Sequence, residues 1–191
     1  KIIPFIPENT SDYYFREKFN GNVLAIGRLV TYKGFEYLMR AVKESGHKLK
    51  IIGRGPLFKH LSQFKTDDIE LLGHVSDEEK NELIKWAGIM AVPSINRSEA
   101  FGMTITEAFA AGLPVLTCKT GSALEYLASG GRSVLINPES VSELKESLIK
   151  LDSDEQLYKS IGLRAKKFSD DKLSYVSFKK NITQLIQEDS S

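Results

Sequence analysis

Two loops hold most of the residues able to do chemistry in this chain. The first, "GRLVTYKG", carries Arg28 and Lys33 between Gly27 and Gly34. Its glycines let the backbone come close to a ligand. The guanidinium offers a planar fork of donors and the ammonium a mobile point charge. Two such cations beside the start of a helix make a site for phosphate or diphosphate. By spacing alone they read equally well as two solvated basic residues of a loop. The second loop, "SINRSEAFGMTITEAFAAGLP", carries Glu99 and Glu107 with seven residues between them. Amides near Gly102, Met103 and Thr104 would open the following helix and suit an anion. Carboxylates suit a different group, the vicinal hydroxyls of a ribose or hexose. Phosphate held by backbone and sugar held by side chains is what a nucleotide-sugar requires. Glu107 also fits the simpler description of an acid favourable early in a helix, with Glu99 solvated.

Other polar positions carry less. "GRGPL" holds Gly53, Arg54 and Gly55, as a backbone contact to a ligand or as a tight strand-to-helix turn. "GHVSDEE" offers His74 and the Val75 backbone. His47, His60 and His74 sit in no cluster, and no His, Cys or Asp grouping has metal-ligand spacing. A G-x-S-x-G elbow, a G-x-G-x-x-G turn and a P-loop are all missing, which removes the fingerprints of serine hydrolases, dinucleotide binding and P-loop chemistry.

These loops must be carried by a scaffold, and the rest of the chain describes one. The 191 residues are 41% apolar and 27% charged, an ordinary globular composition with room for one good-sized core. The net charge of +1 gives no bulk attraction to nucleic acid or membrane, so any anion site is a local cluster. The one cysteine, Cys118, excludes an intrachain disulfide framework, fits a reducing compartment and lies in an apolar run expected to be packed. No stretch reaches the roughly 18 apolar residues of a membrane span.

Apolar runs at 22–28, 48–53, 69–73, 89–94, 114–119 and 133–138 predict six buried strands. Helical spacing predicts helices over 34–45, 56–64, 76–88, 103–112 and 122–129. A helical tail follows from Val141, in segments 141–151, 154–168 and 172–187. Ser76 and Glu79 form a capping-box pattern at one start. Strands apolar on both faces, alternating with helices, predict a doubly wound, Rossmann-like six-stranded parallel sheet, an α/β fold with helices on both faces. The strand order assumed for such a sheet is the common 3-2-1-4-5-6. Ligands of such sheets bind beyond the strand carboxyl ends where the order reverses, and the loops leaving strands one and four are the two loops above.

In order and spacing, "GRLVTYKGFEYLMRAV", "IIGRGPL", "LLGHVSDEE", "AVPSINRSEAFGMTITEAFAAGLPVL" and "GSALEYLASGGRSVLINPES" resemble the C-terminal, donor-binding half of glycosyltransferase family 4, the group 1 transferases with the GT-B fold. The resemblance runs from about Val23 to Leu151. It implies that Arg28 and Lys33 bind the donor diphosphate, that Glu99 contacts the transferred sugar and that Glu107 contacts the ribose. Backbone amides of Phe101, Gly102, Met103 and Thr104 would hold sugar and phosphates, with Val75 and the Gly53–Gly55 turn bordering the base. It further implies a retaining hexosyl transfer from a nucleotide-sugar, by default UDP-linked, with no metal required and no other cofactor. The chain departs from the family at Ala100 and Ser133, where glycine is usual, and in reading "PEN" where "PNG" is usual. The expected layout is a linker over 1–21, the nucleotide-sugar domain over 22–151, and helices over 152–191 packing on it or bridging to an N-terminal domain. That further domain would hold the glycan or lipid-linked acceptor, in a longer cytoplasmic protein with peripheral membrane association. A nucleotide-sugar epimerase of similar fold and a non-catalytic binding domain are the competing expectations.

Overall fold

Six apolar runs form six strands in the computed structural model, which describes residues 16–98, 102–173 and 183. The strands are β1 (Asn22–Ile26), β2 (Lys48–Ile52), β3 (Ile69–Gly73), β4 (Ile89–Val92), β5 (Val115–Cys118) and β6 (Ser133–Ile136). They make one parallel sheet in the order β3-β2-β1-β4-β5-β6. The assumed order is thus the observed one. Several strands stop short of their apolar runs for local reasons. Gly27 and Gly53 leave β1 and β2 at φ of 158° and 153°, a backbone region costly for other residues. Pro93, with no N–H to give a ladder, follows β4.

Among the described residues seven α-helices surround the sheet: α1 (Phe35–Ser45), α2 (Phe58–Leu61), α3 (Asp77–Trp86), α4 (Met103–Ala110), α5 (Ala123–Ala128), α6 (Val141–Ser153) and α7 (Glu155–Phe168). The capping box of α3 is present, with Glu79 N–H donating to Ser76 Oγ at 3.1 Å and Ser76 N–H to Glu79 Oε2 at 2.9 Å. The helix expected over 56–64 is broken instead. Pro56 lies in the preceding turn, α2 has no side-chain cap, and a 3-10 turn over Ser62–Phe64 completes the segment; so short a helix cannot hold itself. A π-helical turn over Ser169–Leu173 follows α7, and most of the helix expected over 172–187 lies outside the described residues.

Alternation along the strands divides the core in two. Val23, Ala25, Leu49, Ile51, Ile89 and Ala91 face a cluster with Leu38, Met39 and Val42 of α1 and Leu144, Leu148 and Leu151 of α6. Leu24, Ile52, Met90, Val92 and Val115 face another with Ile84 of α3, Ile105 and Phe109 of α4, and Leu124 and Leu127 of α5. Helix α7 joins them, placing Tyr158 and Ile161 in the first cluster and Ala165 in the second. Its Tyr158 Oη donates to the Gly88 carbonyl at 2.7 Å, just before β4. Ahead of β1, Arg16 Nε donates to the Ala87 carbonyl at 3.1 Å, and Phe19 is buried. Among the described residues no helix is long and apolar enough to cross a membrane.

Candidate functional site

The reversal of strand order falls between β1 and β4, which pair Val23 with Ile89 and Leu24 with Met90. The two chemically loaded loops leave these neighbours at their carboxyl ends. They touch: Ile95 N–H donates to the Tyr32 carbonyl at 2.8 Å. Gly34, at φ 67°, presses so closely on the Pro93 carbonyl oxygen that any Cβ there would overlap it. Only glycine satisfies both the left-handed backbone and the contact.

Within the first loop the two cations have different settings. Arg28 is exposed. Lys33 ends a 3-10 turn over Thr31–Lys33 and is only 8% exposed. Its Nζ and Cε come within 3.2 Å of where a Gly27 Cβ would stand, and Nζ lies 5.9 Å from the Tyr32 ring centroid. The lysine is therefore folded back over the end of β1 and set into the loop. An ammonium held this way is shielded from water, so its attraction for an anion is stronger than at an open surface.

The loops after β2 and β3 brace this one. Leu29 N–H donates to the Arg54 carbonyl at 2.9 Å, Gly27 N–H to Ile52 at 2.9 Å, and Gly53 N–H to Gly73 at 2.7 Å. A Cβ on Gly53 would overlap the Gly27 carbonyl oxygen, and one on Gly55 the Leu29 carbonyl oxygen. In "GRGPL" both glycines are needed where backbone meets backbone. Both remain partly exposed, as does Val75, which packs against the second core cluster, while His74 is exposed.

In the second loop Glu99 and Phe101 lie outside the described residues. Gly102 is buried at φ 71° as the N-cap of α4, packed on Leu124. The Met103 and Thr104 amides that follow belong to a first helical turn, which has no intrahelical acceptors. No acid occupies that turn, so its positive end is not neutralised within the helix. The Met103 side chain is exposed. Glu107 stands one turn in, 13% exposed, with Oε1 3.2 Å from Lys80 Nζ on α3. Lys80 also lies 3.5 Å from Asp77 Oδ1. Burial alone would lower the Lys80 pKa, but Glu107 and Asp77 together outweigh it and raise it, so the ammonium stays charged. Sequence reading missed Lys80: it is 27 residues from Glu107, and no local pattern marks the pair. Among the described residues, no three His, Cys, Asp or Glu side chains group as metal ligands.

Known proteins bear on this arrangement. An uncharacterized glycosyltransferase of Methanocaldococcus jannaschii is 33% identical over 84% of this chain and 44% of its own length. The D-rhamnosyltransferase WbpZ of Pseudomonas aeruginosa is 30% identical over 66% of this chain and 35% of its own. The chain thus spans less than half the length of either relative. A crystal structure of Anabaena HepE in complex with UDP-glucose has the same fold, with a TM-score of 0.77 at 23% identity over 88% of this chain and 49% of that one. The family described as "Glycosyl transferases group 1" matches residues 15–168, from the segment before β1 to the end of α7, and this chain belongs to that family.

Proposed function

We propose that this chain is the donor-binding half of a retaining, metal-independent hexosyltransferase. It takes a hexose from a UDP-sugar to a glycan or glycolipid acceptor in polysaccharide biosynthesis, the acceptor being held by a separate N-terminal domain. The observation that carries this reading is the buried Lys33 at the β1 exit, tied by Tyr32 and Ile95 to the loop that opens α4. The naming of one relative as a D-rhamnosyltransferase and the UDP-glucose bound to a structural neighbour support a nucleotide-sugar as donor.

Breaking the anomeric C–O bond leaves charge on the departing nucleoside diphosphate. In our reading Lys33, Arg28 and the amides at the start of α4 are preorganised around that charge and take the place of a metal ion. Donors of this kind act most strongly in the transition state, where the charge develops. Glu99 binds hydroxyls of the transferred hexose and Glu107 those of the ribose. The acceptor hydroxyl attacks from the face the diphosphate leaves and gives its proton to the departing phosphate oxygen, so configuration is retained. A sugar–enzyme adduct trapped in the wild-type protein and absent from Glu99→Gln would instead make Glu99 a nucleophile.

The test is calorimetric titration with UDP, GDP and ADP, with and without EDTA, on the wild-type chain and on Lys33→Ala. One nucleotide should bind, unaffected by EDTA, and binding should disappear in the variant. Binding that requires a divalent ion would refute metal independence. Absence of binding by both this chain and the full-length protein would favour a non-catalytic domain.

A further inference from the structure

Glu107 gains its orientation from outside its own helix. Its carboxylate is largely withdrawn from solvent, and Oε1 is engaged by Lys80 at 3.2 Å. Oε2 takes no hydrogen bond from another described residue. Lys80's second acid, Asp77, is 90% exposed, and a solvated pair of that kind holds nothing in place. The contact with Glu107 is different, because a largely buried carboxylate left without a charge partner is unfavourable. Lys80 also sits near the positive end of α3, after Asp77, Glu78 and Glu79. A cation gains nothing from the helix field there, so its placement benefits α4 and not α3.

We propose that Lys80 is a positioning residue of the donor site: it holds Oε1 of Glu107 so that Oε2 is presented in one rotamer to the ribose hydroxyls of the nucleotide. The proposal rests on the donor-site reading above. It assigns to α3, which sequence motifs leave outside the site, a direct influence on how the nucleotide's sugar is recognised. Lys80 touches neither phosphate nor base and acts through Glu107.

The experiment removes the hydroxyls from the ligand and the cation from the protein. Dissociation constants of UDP and 2′,3′-dideoxy-UDP are measured by calorimetry for the wild-type chain, Glu107→Gln, Lys80→Met, Lys80→Gln and Lys80→Arg, with thermal melts run in parallel. Wild-type protein should bind UDP at least about tenfold more tightly than the dideoxy analogue, as one charge-assisted hydrogen bond predicts. Glu107→Gln, Lys80→Met and Lys80→Gln should each lose most of that preference, with affinity for the dideoxy analogue little changed. Lys80→Arg should restore it, since a guanidinium can also hold a carboxylate. If Glu107→Gln loses the preference while both neutral Lys80 variants keep it, the proposal fails and the donor site stands. A Lys80 variant that weakens both ligands by the same factor would mark a direct phosphate contact or a general loss of structure, and also overturns it. Equal binding of the two ligands by wild-type protein refutes the ribose role of Glu107 and this proposal with it. Failure of wild-type protein to bind either ligand refutes the donor-site reading itself.

Discussion

At the scale of single residues, three glycines and a cysteine separate chemistry from packing. The nearest atoms to a Cβ on Gly27 would be those at the far end of Lys33, a flexible group. Gly27→Ala should therefore displace the ammonium, weakening UDP binding severalfold while costing about 1–3 kcal/mol of stability from its backbone angle. A Cβ on Gly53 would meet the Gly27 carbonyl, which cannot step aside. Gly53→Ala should cost about 3 kcal/mol or more, read as a shifted urea midpoint. Gly55 contacts the Leu29 backbone in the same way and should behave like Gly53. Cys118 has its thiol pKa pushed up to about 12 by burial, with the Glu143 charge adding to it. Only thiolate reacts appreciably, so iodoacetamide should label Cys118 in denaturant and leave the folded protein unmodified at mildly alkaline pH.

Among the elements, α3, α4 and α7 decide how well the site is held. Each end of α3 is fastened differently, and its N-terminus depends on the capping box of Ser76 and Glu79. Ser76→Ala should destabilise the protein by about 1 kcal/mol. It should also reduce UDP affinity if α3 supports Glu107 as proposed. The start of α4 is set by Gly102, whose left-handed backbone and contact with Leu124 leave no room for a larger residue. At the amino end of β4, the Tyr158 hydroxyl of α7 donates to the Gly88 carbonyl. Tyr158→Phe strands the buried Gly88 carbonyl and should cost about 1–3 kcal/mol. Because this bond lies at the amino end of β4, away from the site, nucleotide affinity measured well below the melting temperature should be unchanged.

For the whole molecule, the clearest coupling to solution conditions runs through His47. It is buried, stacks on Phe19 at 5.1 Å, has Nδ1 2.9 Å from Ser45 Oγ, and faces Asp152 at 4.0 Å. Burial lowers its pKa below the ordinary 6.5, and the Asp152 charge opposes this without overcoming it. Between the lowered folded value and 6.5 the unfolded chain binds more protons than the folded one. Stability from this group is therefore present above 6.5, falls as pH drops below it, and levels off beneath the folded pKa. Urea midpoints taken stepwise from about pH 7.5 to about pH 5.5 should fall for the wild-type protein. The slope should be shallower for His47→Gln.

The class of fold and the two chemically loaded loops were legible in the sequence, while the strand order, assumed there as the common one for such a sheet, was established by the structure. Apolar runs of strand length alternating with amphipathic helices specify a parallel sheet locally, and right-handed crossovers leave few ways to connect it. The family resemblance was legible for the same reason, since it lies in contiguous motifs around Arg28, Lys33 and Glu107. Packing supplied what no stretch of chain contains. It buried Lys33 and left Arg28 exposed, used Gly53 and Gly55 for contact between loops, and paired Lys80 with Glu107 across 27 residues. Periodicity records which face of an element is apolar. Whether two polar side chains on neighbouring helices meet depends on how each helix is seated on the sheet, and that is set by the packing of the core beneath them.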